Sequence, residues 1–285
     1  MSSRTWTIRE LLQWATEDFS SRGVESPRLD AELLVAHALR LDRVGLYLDL
    51  NRPLLEEERA AIRPLVARRR GREPVAYILG HKDFYGRRFS VTPQVLIPRP
   101  DTETLVEHAL DCIPIDAPCN VLDVGTGSGA IAITIAAERP LARVHATDKS
   151  ASALAVAAGN AEAHGVATRV RFEHTDLVAA GARYDVIVSN PPYVSSGELA
   201  TLQAEVRSYE PTMALDGGQD GLDVVRALLR AAESVTQAGA QLLVEVGLGQ
   251  AAEVMRLAAS KAAWREVTVY RDLNRVDRVV HLCRI

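Results

Sequence analysis

The sequence predicts an α/β protein: a mostly parallel, doubly wound, seven-stranded sheet, preceded by a small helical bundle and a β-hairpin linker. Three observations carry this. From residue 119 onward, short β-branched runs alternate with helix-length stretches, the pattern of parallel strands joined by crossover helices. A glycine-rich turn, Asp123-Val124-Gly125-Thr126-Gly127-Ser128-Gly129, separates the first such run from its helix. Before residue 75 the chain shows helical periodicity and no strand-like alternation.

Residues 1–73 are expected to form a helical domain. Ile8, Leu11, Leu12, Ala15 and Phe19 lie on one helical face. Ser26-Pro27 opens a second helix, because proline in the first turn sacrifices no hydrogen bond, with Leu29, Leu33, Leu34, Ala38 and Leu41 as its apolar positions. A third runs from about Leu55 to Arg70, where Pro64 is expected to bend or split it. Residues 74–100 read as a hairpin linker, with Val75, Tyr77 and Leu79 in strand-like alternation and Phe84, Tyr85, Gly86, Phe89 and Val91 around a turn. Asp101 or Thr102 is placed to cap a helix over Glu103–Leu110.

Residues 101–285 are expected to hold the sheet. Its strands are Asn120–Val124, Arg143–Thr147, Arg169–His174, Asp185–Ser189, Gln241–Val246, Glu266–Tyr270 and Asp277–Cys283. Helices fill Ala130–Glu138, Ala151–His164, Asp223–Thr236 and Gln250–Ser260. The last two strands have no helix between them, so an antiparallel hairpin at the sheet edge is expected.

Composition excludes several classes. With 285 residues, 47% hydrophobic and 25% charged, the chain is an ordinary globular protein. A net charge of −4 supplies no basic field for nucleic acid, and no direct nucleic-acid binding is expected. Apolar stretches such as Ala130–Ala137 are too short to span a bilayer, and the first residues lack an apolar signal core, so a cytoplasmic protein without membrane association is expected. Cys112, Cys119 and Cys283 read as reduced structural thiols, and the seven histidines show no metal-ligand spacing. The run Arg68-Arg69-Arg70-Gly71-Arg72 reads as a solvated face, with docking of an acidic partner as its alternative.

The chemistry is concentrated in two segments. Gly125, Gly127 and Gly129 are spaced G-x-G-x-G, unlike the G-x-G-x-x-G of a dinucleotide pyrophosphate site, and no phosphate-loop lysine follows. Asp148, ending the second strand, can accept both ribose hydroxyls of a nucleoside. Asp176 after the third strand reaches an adenine amino group or caps a turn; Leu177 lines an adenine face or caps the core. A nucleoside cofactor that is not strongly anionic, such as S-adenosylmethionine, fits this set. The second segment, Asn190-Pro191-Pro192-Tyr193, follows the apolar run Val186-Ile187-Val188. Its prolines stiffen the turn and supply no N–H, so it presents carbonyl oxygens with few competing donors. Such a turn can hold a substrate –NH2 by accepting both hydrogens.

The stretches AELLVAHAL (31–39), PVAYILGHKDFYGRRFSVTPQVLIPRPDTETLVE (74–107), VLDVGTGSGAIAI (121–133), SNPPYV (189–194) and YEPTMALDGGQDGLD (209–223) resemble the bacterial release-factor glutamine methyltransferases, the PrmC/HemK family. The resemblance covers nearly the whole chain. It implies a Rossmann-like class I S-adenosylmethionine-dependent methyltransferase domain and a helical substrate-docking domain. It implies methylation of the glutamine amide nitrogen in the Gly-Gly-Gln motif of class 1 peptide chain release factors, with S-adenosylhomocysteine as the other product. Carried over by position, Gly125, Thr126, Gly127, Ser128, Gly129, Asp148, Asp176, Leu177 and Asn190 contact the cofactor, and Asn190, Pro191, Pro192 and Tyr193 bind the glutamine. Many relatives carry an aromatic residue where this chain has Leu177.

Asn190, Pro191 and Tyr193 are the expected catalytic residues, with no metal and no strongly shifted general base. The Asn190 side-chain oxygen and the Pro191 carbonyl accept the two amide hydrogens, orient the nitrogen and stabilise positive charge growing on it. Tyr193 packs on the amide plane or makes only a structural hydrogen bond. Methylation of a ribosomal-protein glutamine and of adenine N6 in DNA are the alternative reactions.

Overall fold

The computed structural model describes residues 6–178, 181–261 and 263–285. The chain forms two compact units, one of Met1–Gly80 with Gln203–Tyr209, the other of His81–Leu202 with Glu210–Ile285.

In the first unit, α1 (Ile8–Ser21) begins at a reciprocal cap: the Glu10 amide donates to Thr7 Oγ1 and the Thr7 amide to the Glu10 carboxylate. It buries Ile8, Leu12, Ala15 and Phe19. Helix α2 (Pro27–Leu39) buries Ala31, Leu34 and Val35, whereas Leu29, expected on that face, is exposed. A short α3 (Arg43–Leu48), capped by Asp42, has no counterpart in the sequence reading. Helix α4 (Glu56–Arg70) runs unbroken through Pro64. Pro64 and Ala60, whose carbonyl loses its helical donor, both face solvent, so water satisfies that group.

Val75–Leu79 is a helix, α5, not the expected strand. Gly80 ends it with a left-handed backbone at φ 78°, and Arg68 donates to the carbonyls of Tyr77 and Ile78, capping its end. Burial of Tyr77 and Ile78 overrides the period-two pattern of a five-residue run.

The second unit opens with a hairpin of β1 (His81–Phe84) and β2 (Arg87–Ser90), antiparallel around Tyr85-Gly86. After Pro100–Thr102, a single 3-10 turn, come α6 (Glu103–Cys112), β3 (Cys119–Val124), α7 (Ala130–Glu138), β4 (Ala142–Asp148), α8 (Ala151–Ala163), β5 (Val170–His174) and β6 (Tyr184–Ser189). Helix α9 (Ala204–Tyr209) belongs to the first unit. Then follow α10 (Asp223–Val235), β7 (Thr236–Glu245), α11 (Ala251–Ala259), β8 (Trp264–Arg271) and β9 (Asp277–Arg284).

The seven strands are ordered β5-β4-β3-β6-β7-β9-β8, parallel from β5 to β7 and antiparallel at β9 and β8, with the expected hairpin at one edge. Alternate residues feed opposite faces: Val121, Val186, Val188 and Leu243 enter one hydrophobic cluster, Leu122, Ile187, Leu242 and Val244 the other. Helix α10 covers the second cluster with Val225, Leu228, Leu229, Ala232 and Val235, a helical stripe. Strand order reverses between β3 and β6, and the carboxyl ends of strands at such a reversal frame a ligand crevice.

Cys112, Cys119 and Cys283 are free thiols, and burial pushes Cys112 and Cys119 up to about 11, which disfavours their thiolate forms. No helix among the described residues is long and apolar enough to cross a membrane.

Candidate active site

The two segments singled out in the sequence meet at the carboxyl ends of β3, β4 and β6. Val124 is in register with Thr147 on one side and Ser189 on the other, and the Ser189 hydroxyl donates to the Val124 carbonyl at 2.8 Å. The residues that follow, Gly125, Asp148 and Asn190, therefore emerge side by side.

The glycine turn is built to expose backbone. Gly125 and Gly127 have φ of 75° and 55°, and a Cβ on either would meet nothing within 4 Å, so their faces are open to a ligand. Asp148 holds the turn: Oδ2 accepts from the Gly127 amide at 2.9 Å and Oδ1 from the Ser150 amide at 2.8 Å. A carboxylate has about four acceptor positions, so capacity for ribose hydroxyls remains. Thr126 and Ser128 are buried, and Thr126 donates to Asp123 Oδ2 at 2.7 Å. Gly129 plays a different part: a methyl there would lie 2.7 Å from Ile133 Cδ1 and 3.1 Å from Ala157 Cβ, so its role in the geometry is close helix packing.

Asp123 escaped the sequence reading. It is wholly buried, its Oδ1 has no hydrogen-bond partner among the described residues, and burial pushes its carboxyl up to about 7. A charged residue inside the apolar run Val121–Val124 is the signal that marks it. Open glycine faces, an adjacent anchored carboxylate and an orphaned buried acceptor fit a cofactor with ribose hydroxyls and a cationic group.

Asp176 is exposed and pairs with Lys149 at 3.3 Å, while Leu177 packs against the second hydrophobic cluster with its carbonyl accepting from the Thr147 hydroxyl. Leu177 holds a left-handed backbone at φ 64°.

At the end of β6, Asn190 Nδ2 donates to Thr102 Oγ1 at 3.1 Å. Neither Thr102 nor Asp101 caps α6 through its side chain, contrary to the sequence expectation, because Thr102 is engaged here instead. Among the described residues, the Asn190 Oδ1 and the Pro191 carbonyl accept no protein hydrogen bond. Pro191 is buried; Pro192 and Tyr193 are half-buried, and burial together with Glu245 pushes the Tyr193 phenol up to about 12, so it stays neutral.

The glycine-rich segment after Tyr209 braces this turn from below. Val194 accepts from the Gly217 amide and donates to the Leu215 carbonyl, and Gln250 Nε2 donates to the Tyr193 carbonyl at 2.9 Å. A Cβ on Gly221 would collide with the Tyr193 carbonyl and Gln250 Nε2, so only glycine admits this approach. Glu210 is buried and receives the Ile97 amide and Arg99, not the acceptor turn. Glu205 lies in the first unit, paired with Arg69 at 2.8 Å and with Arg72. Arg69 is buried and also pairs with Asp30; Arg68 pairs with Glu73 and Arg70 with Asp18, and both stay exposed, as a solvated face would have them.

Glu245 also escaped the sequence reading. It ends β7, is almost wholly buried with Oε2 unpartnered among the described residues, and burial pushes its carboxyl up to about 7. Again the signal was present: an acid within the apolar run Leu242–Val246.

Comparison with known proteins identifies the family. Residues 10–80 match the PrmC N-terminal domain and residues 101–208 the methyltransferase small domain. The chain is 48% identical over 276 residues to a release factor glutamine methyltransferase of Geobacter sulfurreducens, covering 96% of each protein. It is 44% identical over 287 residues to that of Chlorobaculum tepidum, again covering 96% of each. A methyltransferase structure from Pyrococcus furiosus superposes with a TM-score of 0.53 at 16% identity, over 71% of this chain and 91% of that one, which establishes the class I methyltransferase fold. The chain is therefore an enzyme of the release factor glutamine methyltransferase family.

Proposed function

We propose that this enzyme transfers one methyl group from S-adenosylmethionine to the side-chain amide nitrogen of the glutamine in the Gly-Gly-Gln motif of class 1 peptide chain release factors. The observation that carries the proposal is the Asn190 turn. Its carboxamide is held by its own –NH2 on Thr102, and its Oδ1 and the neighbouring Pro191 carbonyl remain as two acceptors. A primary amide offers two N–H donors on one nitrogen, which suits that pair.

The amide nitrogen is a poor nucleophile because its lone pair is shared with the carbonyl. S-adenosylmethionine supplies the electrophilic sulfonium methyl. Asn190 Oδ1 and the Pro191 carbonyl orient the nitrogen and stabilise the positive charge that grows on it. One N–H proton is then lost to water. Gly125 and Gly127 present open backbone to the cofactor, Asp148 offers its carboxylate to the ribose, and Tyr193, neutral and half-buried, packs on the amide plane. The acceptor pair also suits adenine N6, but the −4 charge opposes duplex binding, and the relatives cited above are named for release factors.

Mass spectrometry of a purified release factor incubated with enzyme and cofactor tests the proposal. A single added methyl on the Gly-Gly-Gln glutamine, reduced at least about a hundredfold by Asn190→Ala while cofactor affinity stays within about tenfold, is expected. No methyl on the release factor with cofactor binding intact would move the assignment to another acceptor.

A further inference from the structure

We infer that Glu210 is a positioning residue: it clamps the loop over residues 97–102, and through that loop holds Thr102 where it meets the Asn190 carboxamide. The inference rests on the reading of Asn190 as a hydrogen-bond acceptor for the substrate.

The need for a clamp follows from the sequence of the loop. In Ile97-Pro98-Arg99-Pro100-Asp101-Thr102, neither proline supplies an N–H. The loop belongs to no strand among the described residues, so no sheet ladder fixes it. The Thr102 amide closes a turn on the Arg99 carbonyl at 3.2 Å, but that bond is internal to the loop.

Glu210 supplies the outside hold. Its side chain is 1% exposed; one carboxylate oxygen accepts from the Ile97 amide at 3.1 Å and the other from the Arg99 guanidinium. Both partners donate, so the site requires two accepting oxygens. A carboxylate has them, whereas a glutamine would turn its –NH2 on one of the donors. Hydrogen bonds to a charged group are also stronger than neutral ones. Glu210 therefore fixes Ile97 and Arg99, the Arg99 carbonyl holds the Thr102 amide, and Thr102 Oγ1 receives Asn190 Nδ2 at 3.1 Å.

The same stretch of chain grips the acceptor turn. The Leu215 carbonyl accepts from the Val194 amide at 3.0 Å, and the Gly217 amide donates to the Val194 carbonyl at 2.8 Å. Residues 210–217 thus hold both pieces that meet at Asn190: the loop bearing Thr102 and the turn bearing Asn190. This gives the Tyr209-Glu210-Pro211 segment a task that neither the cofactor pocket nor the Asn190 turn assigns it.

Glu210→Gln keeps the shape and removes one accepting oxygen. In the whole enzyme it should shift the Asn190 side-chain amide resonances, as Thr102→Val should. The kcat for release-factor methylation should fall about tenfold or more in Glu210→Gln, since small misplacements of a reacting group are costly. Cofactor affinity and the release-factor KM should stay within about twofold. Adding Thr102→Val to Glu210→Gln should cost no more than Thr102→Val alone, because both act on Asn190 by one route. A general loosening of the fold would multiply the two losses instead. Arg99→Gln loosens the clamp from its half-exposed end and should give the same resonance shift, which serves if Glu210→Gln does not fold. Unmoved Asn190 resonances in the folded variant, or losses that multiply, overturn the inference. The resonance measurement needs no acceptor, so it decides the clamp even if the release factor proves not to be the substrate.

Discussion

Asp148 and Asn190 are both polar residues at strand ends, yet their environments assign them different work. Asp148 spends one lone pair on each of two backbone amides and stays half-exposed beside open glycine faces. Asp148→Ala should therefore weaken cofactor binding by about 1–3 kcal/mol, because the Gly127 and Ser150 amides lose their acceptor along with any ribose contact; calorimetry showing unchanged affinity would contradict this. Asn190, by contrast, engages Thr102 through its –NH2 and keeps Oδ1 without a protein donor among the described residues, which is what the proposed acceptor role uses. Its type, and the two prolines after it, were legible in the sequence. Its partner Thr102 was not, because Thr102 lies 88 positions away and its local context signals a helix cap. Glu245 and Asp123 were legible only as acids in apolar runs; their raised carboxyl values come from burial that tertiary packing creates.

At the scale of elements, the acceptor turn depends on the glycine-rich segment that packs beneath it. Gly221→Ala sets a methyl against the Tyr193 carbonyl at a φ of 77°, so it should destabilise the enzyme by about 1–3 kcal/mol and reduce methyl transfer more than cofactor binding. Urea unfolding and paired kinetic and binding measurements check this. Helix α4 supplies the other case. Arg69, almost fully buried, bridges Asp30 at 2.7 Å and Glu205 of α9 at 2.8 Å. Burial pushes Asp30 up and Arg69 opposes that, so Arg69→Met strands a buried carboxylate. A loss of about 3–5 kcal/mol is expected for the first unit, read by its unfolding midpoint. The arginine run was visible in the sequence, but its partners were not. Likewise Pro64 and the alternating Val75, Tyr77 and Leu79 carried true local signals that solvent exposure and burial respectively overrode.

For the whole molecule, pH dependence follows from the two raised carboxyls. Asp123 and Glu245, both near 7 when folded, hold protons that the unfolded chain releases near 4. The folded state binds more protons across that interval, so their stabilisation is complete below about pH 4 and is lost as pH rises through about 7. Glu245→Gln removes one of these groups. Its unfolding free energy should exceed the parent's by on the order of 3 kcal/mol at pH 8, a gain that shrinks toward pH 5. A pH-independent difference in urea midpoints would contradict the assignment. The variant should thus be more stable than the parent above about pH 7.

The division between sequence and tertiary structure has a physical basis. Strand and helix alternation, the glycine turn, the Asn-Pro-Pro-Tyr turn and the edge hairpin are local patterns of period, backbone freedom and proline stiffness, so the sequence alone determined the parallel sheet with its edge hairpin and the two segments proposed to form the site. The tertiary structure alone decided which distant side chains share a hydrogen bond and how deeply each charge is buried. Hydrogen-bond direction and desolvation depend on neighbours brought together only by folding, and so the Thr102 partner of Asn190, the depth at which Glu245 is buried and the partners of Arg69 could not be read from the local sequence.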